Sequence, residues 1–302
     1  MIAMLFINKR YLSRFTSYNS QYMAANNNEL VFKSSWEYAY ADYIFPEIVK
    51  SEIWATAFLH CNNGYHPRMG IGVKFANGQV GRMSFGETVI YTPFVSGGKT
   101  DTHKASFASN LPQGKYSKVR LHVWVSEDDE NQLNVEFFIA DKRVPINGSP
   151  YHSVLSSSSI EGFTYLRIGG SGTYSGTTFA KDIIVSDKEI TAGTQIVELP
   201  ISSVNGWVAN EDNSFTATEF DTEGTLVPDA IELAKLKDYN IQGSVLMGAY
   251  LRQGDNIKNL HIKTSGQEVD LPLEVGVSTK FQKDLETTSI DSLSSIVISP
   301  KG

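Results

Sequence analysis

Paired carboxylates, clustered His and Cys, and glycine-rich loops are the residue patterns through which this chain could do chemistry. Retaining hydrolysis needs two carboxylates about 5–5.5 Å apart. On a strand, residues i and i+2 share a face, so Glu-x-Asp or Asp-x-Glu inside an apolar strand is the pattern required. No strand-like run carries it. Glu219-Phe220-Asp221 and Asp221-Thr222-Glu223 have the spacing but lie in a loop-like, unpatterned stretch, and Glu127–Glu130 fall in a turn. His60-Cys61 with His66 is the best metal-like grouping, yet zinc wants three or four converging ligands, and adjacent strand residues face opposite sides. Asp221, Glu223 and Asp229 could offer carboxylates to calcium, without the EF-hand spacing. Cys61 has no base on its own face and reads as a small core residue. Gly97-Gly98 and Gly169-Gly170 open no helix, so neither is a phosphate loop. No catalytic residue, cofactor or metal is expected. Sugar binding remains, through aromatic faces and amides on loops. Its candidates are Asn62, Asn63, Tyr65, His66, Tyr174 and Trp207, each of which also has an ordinary packing role open to it.

Composition narrows the class. The chain has 302 residues, a prior of about two domains. Hydrophobic residues make up 41% and charged residues 20%, enough apolar area for a core and too little charge for a disordered chain. A net charge of -7 argues against a broad nucleic-acid footprint, though not against one local basic patch. The single cysteine, Cys61, rules out an intrachain disulfide and fits folding in a reducing compartment. The apolar start Ile2–Ile7 is too short for a signal h-region or a membrane span, and no later run approaches about 18 residues. No membrane insertion is expected.

The elements that would position such residues read as strands. Val119, Leu121, Val123 and Val125 alternate with Arg120, His122 and Trp124, and Leu133, Val135, Phe137 and Ile139 alternate in the same way. Period two across the polar loop SEDDENQ predicts a β-hairpin. Glu52–Asn62, Gly70–Phe75 and Thr88–Thr92 are further strand candidates. Phe163–Asp187 contains two apolar runs, Tyr165–Ile168 and Ile183–Val185, which predict a hairpin or bulged pair. Gly169-Gly170 is the expected turn at the end of the first. Residues 8–28, rich in Asn, Ser and Tyr, read as an irregular arm. No convincing helical period occurs before residue 190. Near the C-terminus, Ser289–Leu293 predict a single helical turn before a last strand at Ile296–Ile298.

The strand ending Ile168-Gly169-Gly170, followed by Asp182-Ile183-Ile184-Val185, resembles the closing strands of laminin-G and concanavalin A-like β-sandwiches. Glu52–Asn62 and then Val119–Arg143 with Trp124 precede it in the order that family uses. Asp141-Lys142 stands where the family often has Asp-Gly. The C-terminal part resembles bacteriophage virion proteins, on the lead-in Trp207 with Glu211-Asp212, the strand Ile241–Arg252, and Phe281–Ile298. That family's Asp-Pro, later Trp and final Gly are absent.

The expectation is an all-β chain: an arm at 1–28, a concanavalin A-like β-sandwich at 29–190 and a second β-sandwich (jelly-roll) domain at 195–302. The resemblance implies a non-enzymatic structural component of a phage particle (tail, collar or capsid decoration), with host-glycan adhesion as an added activity. Implied partners are other virion proteins and a homo-oligomer, with a glycan as a further ligand and no nucleic acid. The implied location is the virion, after synthesis in the host cytoplasm. The alternatives are a free carbohydrate-binding lectin module and, lower in order, a glycan hydrolase.

Overall fold

A computed structural model describes residues 5–7, 16–18, 23–26, 29–33, 39–62, 66–86, 89–106, 114–171, 177–194, 199–211, 215–217, 221–237, 243–250, 257–264, 267–276, 278–285 and 296–302. The chain divides into two compact units, Met1–Ile196 and Val197–Gly302. The described residues are mostly strand, so the all-β expectation stands.

The first unit is built from β1 (Leu5–Ile7), β2 (Thr16–Tyr18), β3 (Met23–Asn26), β4 (Glu29–Lys33), β5 (Ala39–Val49), β6 (Glu52–Asn62), β7 (His66–Phe75) and β8 (Val80–Gly86). It continues with β9 (Val89–Ser96), β10 (Lys99–Ser106), β11 (Ser117–Val125), β12 (Gln132–Ile139), β13 (Lys142–Arg143), β14 (His152–Leu155), β15 (Ile160–Ser171) and β16 (Thr177–Ser186). One sheet runs β13-β12-β11-β6-β16-β4-β3, with β1 on β16 and β14 on β12, nine strands in all among the described residues. The other has seven, β10-β9-β8-β7-β15-β5-β2.

The inner faces of both sheets are apolar at alternate positions. Ile53, Ala55, Ala57, Leu59 and Cys61 of β6 meet Val119, Leu121 and Val123 of β11 and Leu133, Val135 and Phe137 of β12, all buried. From the seven-stranded sheet come Met69, Ile71, Val73, Met83, Phe85, Leu166 and Ile168. The Phe85 and Phe137 rings, one from each sheet, lie 4.5 Å apart, so the two inner faces form one core.

The β11–β12 hairpin has the expected register, Val119 opposite Ile139 and Val125 opposite Leu133. Two local expectations are corrected. The runs around Phe163–Asp187 are not a hairpin: β15 belongs to the seven-stranded sheet and β16 to the nine-stranded one. Gly169 is not a turn but lies within β15, where a Cβ would stand 2.6 Å from the Ala39 carbonyl oxygen of β5. The glycine serves close strand approach rather than chain reversal. In the segment read as an irregular arm, the three short strands are paired: β1 on β16, β2 on β5 and β3 on β4.

The outward face of β11 is not left to solvent. Arg120 is only 6% exposed because the segment after β16 lies over it: its Nη1 donates to the Ile190 carbonyl at 2.6 Å. Lys118 Nζ donates to the carbonyls of Ala192 and Thr194. Ile190 is fully buried with Trp54, Phe138 and Ile184. Alternation predicted a polar outer face; a covering segment makes it a second small core.

The second unit contains β17 (Ile201–Asn205), β18 (Val208–Ala209), β19 (Phe215–Thr216), β20 (Gly224–Pro228), α1 (Ala230–Lys235), β21 (Gly243–Tyr250), β22 (Asn259–Lys263), β23 (Glu268–Pro272), β24 (Ser278–Leu285) and β25 (Val297–Lys301). Five form a sheet in the order β17-β20-β25-β22-β23, and β18–β19 and β21–β24 are separate antiparallel pairs. Val204, Leu226, Leu260, Ile262, Leu271, Ile296 and Ile298 make its core. The short helix α1 follows β20. Asp229 starts it, its carboxylate accepting from the N–H groups of Ile231 at 2.9 Å and Glu232 at 3.0 Å. The helical turn expected at Ser289–Leu293 lies outside the described residues.

Phe137→Ala should destabilise the first unit by about 3–5 kcal/mol in denaturant unfolding, since it empties the contact joining the two sheets. Leu155→Ala, at a position 64% exposed, should change stability by at most about 0.5 kcal/mol.

Candidate functional site

The outward face of the seven-stranded sheet carries a cluster of charged and aromatic side chains. Cross-strand register defines its rows. Tyr165 of β15 is opposite Gly72 of β7, which is opposite Arg82 of β8. Arg167 is opposite Gly70 and then Ser84, with Asp42 of β5 on its other side. Arg68 pairs with Gly169, whose other neighbour is Tyr40.

A β-bulge sets this arrangement. Phe163 is opposite Val73 and Tyr165 is opposite Gly72, so β15 advances two residues while β7 advances one. The extra residue, Thr164, resets the alternation. Phe163 points into the core at 0% exposure, as do Leu166 and Ile168, while Tyr165 and Arg167 face out. Without the bulge, period two would put Phe163 on the same face as Tyr165 and Arg167.

Two glycines in β7 form the floor. A Cβ on Gly72 would come within 2.2 Å of Tyr165 Cε1, so the phenol ring occupies the space a side chain would fill over the bare backbone. A Cβ on Gly70 would be 2.8 Å from Ser84 Cβ and 3.2 Å from Arg82 Cδ. The sequence Arg68-Met69-Gly70-Ile71-Gly72 thus places one arginine and two missing side chains in a line on one face. Ser84 is 3% exposed, and its hydroxyl has no hydrogen-bond partner among the described residues.

Arg167 is held rigidly. Its Nε donates to Asp42 Oδ1 at 2.6 Å and its Nη2 to Oδ2, a two-pronged pair. The guanidinium also lies 3.5 Å from the Tyr40 ring centroid and 5.2 Å from that of Tyr165. Burial opposes its charge, but Asp42 and Tyr165 outweigh this and its affinity for the proton is raised. Arg82 goes the other way. Burial, then Arg167, then Arg68 weaken its hold on the proton, and Tyr165 and Asp42 compensate only in part. It stays cationic at neutral pH. Burial raises the Tyr165 pKa above the usual phenol value, against the opposing pull of Arg167 and Arg82. Arg82 and Arg167 therefore flank the Tyr165 ring, with Asp42 committed to Arg167. The like-charged neighbours of Arg82 favour an anionic ligand beside it.

The candidates named from sequence fall elsewhere. Asn62 ends β6, opposite Thr177 of β16, and His66 begins β7. Asn63, Tyr65 and Tyr174 lie outside the described residues. Trp207 belongs to the second unit, where its indole N–H donates to the Thr222 carbonyl at 3.0 Å and its ring packs on that unit's core. His60 lies between the rings of Tyr116 and Phe179, each centroid 5.1 Å away, on the strand face opposite Cys61. Cys61 is in the core, and burial pushes its thiol pKa up, away from the thiolate a nucleophile requires. Asp221 pairs with Lys301 at 2.7 Å, while Asp229 caps α1. Asp129, at the tip of the β11–β12 hairpin, accepts from the backbone N–H of Asn131.

No known family model matches the chain, and no curated protein matches it. Solved structures do. An alginate lyase bound to alginate trisaccharide aligns at 8% identity over 62% of this chain and 99% of its own, with a TM-score of 0.43. An alginate lyase from Aplysia kurodai aligns at 8% over 56% and 88%, with a TM-score of 0.37. A Bacillus licheniformis beta-glucanase aligns at 6% over 56% and 84%, with a TM-score of 0.36. No residue role passes from any of them to this chain. All three are described as enzymes acting on glycans, and none as a virion protein. The expectation of a non-enzymatic structural component, with a free lectin module as its alternative, is corrected on that finding. A carboxylate-pair pattern does not register this face, whose chemical groups are arginines and a tyrosine.

The Tyr165 phenol should ionise above pH 10, read as an ultraviolet difference titration step that vanishes in Tyr165→Phe. Because the folded pKa is raised, Tyr165 supports folding fully below pH ~10, and that support is lost as pH climbs through the folded value. Tyr165→Phe should therefore flatten the alkaline fall in stability.

Proposed function

We propose that the protein is a polysaccharide lyase acting on an acidic, uronate-containing glycan, with the outward face of the seven-stranded sheet as its active surface. The observation that carries this reading is Tyr165, laid on Gly72 between Arg82 and Arg167. Arginine pairs with carboxylate in planar, two-pronged fashion, so Arg82 receives the uronate carboxylate. Asp42 keeps Arg167 fixed beside the phenol. Neutralising the carboxylate lowers the barrier to removing the adjacent C5 proton, because charge developing there spreads onto the carboxyl group.

Tyr165 then works in both directions. As phenolate it takes the C5 proton. The C5–H electron pair forms the C4=C5 double bond, the C4–O4 bond breaks, and the phenol returns its proton to the departing O4. No water and no second carboxylate are required. Hydrolysis by an acid–base pair of carboxylates suits this face poorly, since Asp42, the carboxylate beside Tyr165, is bound to Arg167.

The test is incubation with polymannuronate, polyguluronate, polyglucuronate and polygalacturonate, following the ultraviolet absorbance of unsaturated chain ends. At least one should be cleaved. Tyr165→Phe should lose about 10²–10⁴-fold in kcat, and Arg82→Ala about 10²–10³-fold. With burial holding the phenol protonated, kcat/KM should rise with pH through the alkaline range. Cleavage that yields saturated reducing ends, or none of the four polymers being cut, would sink the proposal.

A further inference from the structure

The nine-stranded sheet carries a second assembly on its outward face, separated from the arginine cluster by the core. Trp54 of β6, His122 and Trp124 of β11, and Tyr151 just before β14 follow one another as a ladder of rings. Trp54 and His122 stack at 3.9 Å with an interplanar angle of 11°, and His122 and Trp124 at 4.5 Å and 19°. Carboxylates on both sides fix the histidine. Its Nε2 is 2.8 Å from Glu52 and its Nδ1 3.1 Å from Glu136, which also holds Arg143 at 2.9 Å. Trp54 Nε1 donates to the same Glu52 at 3.2 Å. The central rungs are thus locked by hydrogen bonds.

The outer rung differs. Tyr151 is 47% exposed, its ring 5.6 Å from Trp124 and tilted by 57°, so the two rings make an open corner. Beside it lies a cavity of about 410 Å³ lined by Ile146, Asn147, Ser149, Pro150, Tyr151 and Ser153, among others. Ser153 donates to the Asn134 side chain at 2.5 Å, in the cross-strand row that contains Trp124. An exposed tyrosine that lines a cavity with amide and hydroxyl groups, and makes a corner with Trp124, matches the two sides of a pyranose. Its C–H face lies on aromatic carbon and its hydroxyls reach polar groups.

We infer that the Trp124–Tyr151 corner and the adjoining cavity form a non-catalytic binding site for a neutral pyranose unit of a glycan chain. Charge sets this site apart from the other sheet. Glu52, its side chain 40% exposed, stands next to the ladder, so an acidic sugar is disfavoured here, while Arg82 and Arg167 favour it on the opposite face. A carbohydrate with both neutral and acidic residues, or a neutral polymer lying beside an acidic one, would engage both faces.

The experiment is affinity gel electrophoresis of the full chain in hydroxyethyl cellulose, laminarin and galactomannan, with alginate as the acidic comparison. At least one neutral polymer should retard the protein. Tyr151→Ala, at an exposed position, should keep the far-ultraviolet circular dichroism of the parent and weaken that retardation at least tenfold. Retardation by none of the three neutral polymers overturns the assignment, and so does retardation that Tyr151→Ala leaves intact. Retardation by alginate alone also overturns it and places all glycan contact on the arginine face. Loss of lyase activity in Tyr165→Phe is read separately, so failure of one site does not count against the other.

Discussion

The extra residue in β15 is the constraint on which the first unit's outward chemistry depends. β15 pairs with both β7 and β5 inside the seven-stranded sheet, and its register shifts against both between Phe163 and Tyr165. A bulge turns the following residues by one step relative to those before. Upstream, Phe163 fills the core. Downstream, Leu166 and Ile168 do so, which leaves Tyr165 and Arg167 outside. One inserted residue thus satisfies the core on both sides and delivers a phenol and a guanidinium to a common surface. The glycines of β7 complete the device, since any side chain at Gly72 would occupy the volume of the Tyr165 ring.

Cations gather on that face. The chain as a whole carries -7, yet Arg82 and Arg167 stand around one phenol, close enough for each to disfavour the other's charge. Asp42 immobilises Arg167 against the Tyr40 ring. The weakened proton affinity of Arg82 reflects this crowding and burial. Like charges held together in a partly desolvated place store unfavourable energy that an anion relieves.

The two sheets solve opposite problems with similar means. On the seven-stranded sheet, cations crowd an open face. On the nine-stranded sheet, Glu52 and Glu136 clamp His122 between them, and the tryptophans stack on its two sides. Farther along the same face, Arg120 is taken out of water by the 187–194 segment, with its guanidinium 4.3 Å from the Phe138 ring centroid and its charge turned to the Ile190 carbonyl. Polar residues at outward positions thus serve either a ligand-facing surface or a covered secondary core. Alternation by itself does not separate these uses.

Where information was local, the sequence was sufficient. Val119–Val125 and Leu133–Ile139 alternate strictly around a polar loop, and their pairing needs nothing from the rest of the chain. Cys61 is in the core because the parity of β6 puts it with Ala57 and Leu59. The all-β class follows from many such short runs. The candidate site was not legible. Asp42 and Arg167 are 125 residues apart and meet only because β5 and β15 are neighbours in one sheet. Strand order is a property of the folded sheet, and no period in the chain encodes it. The face of Tyr165 was equally hidden, since strict alternation assigns it with Phe163 until the bulge intervenes. The charge, glycine spacing and aromatic content were written in the residues; their convergence was decided by long-range hydrogen-bonded register, which exists only once both sheets have formed.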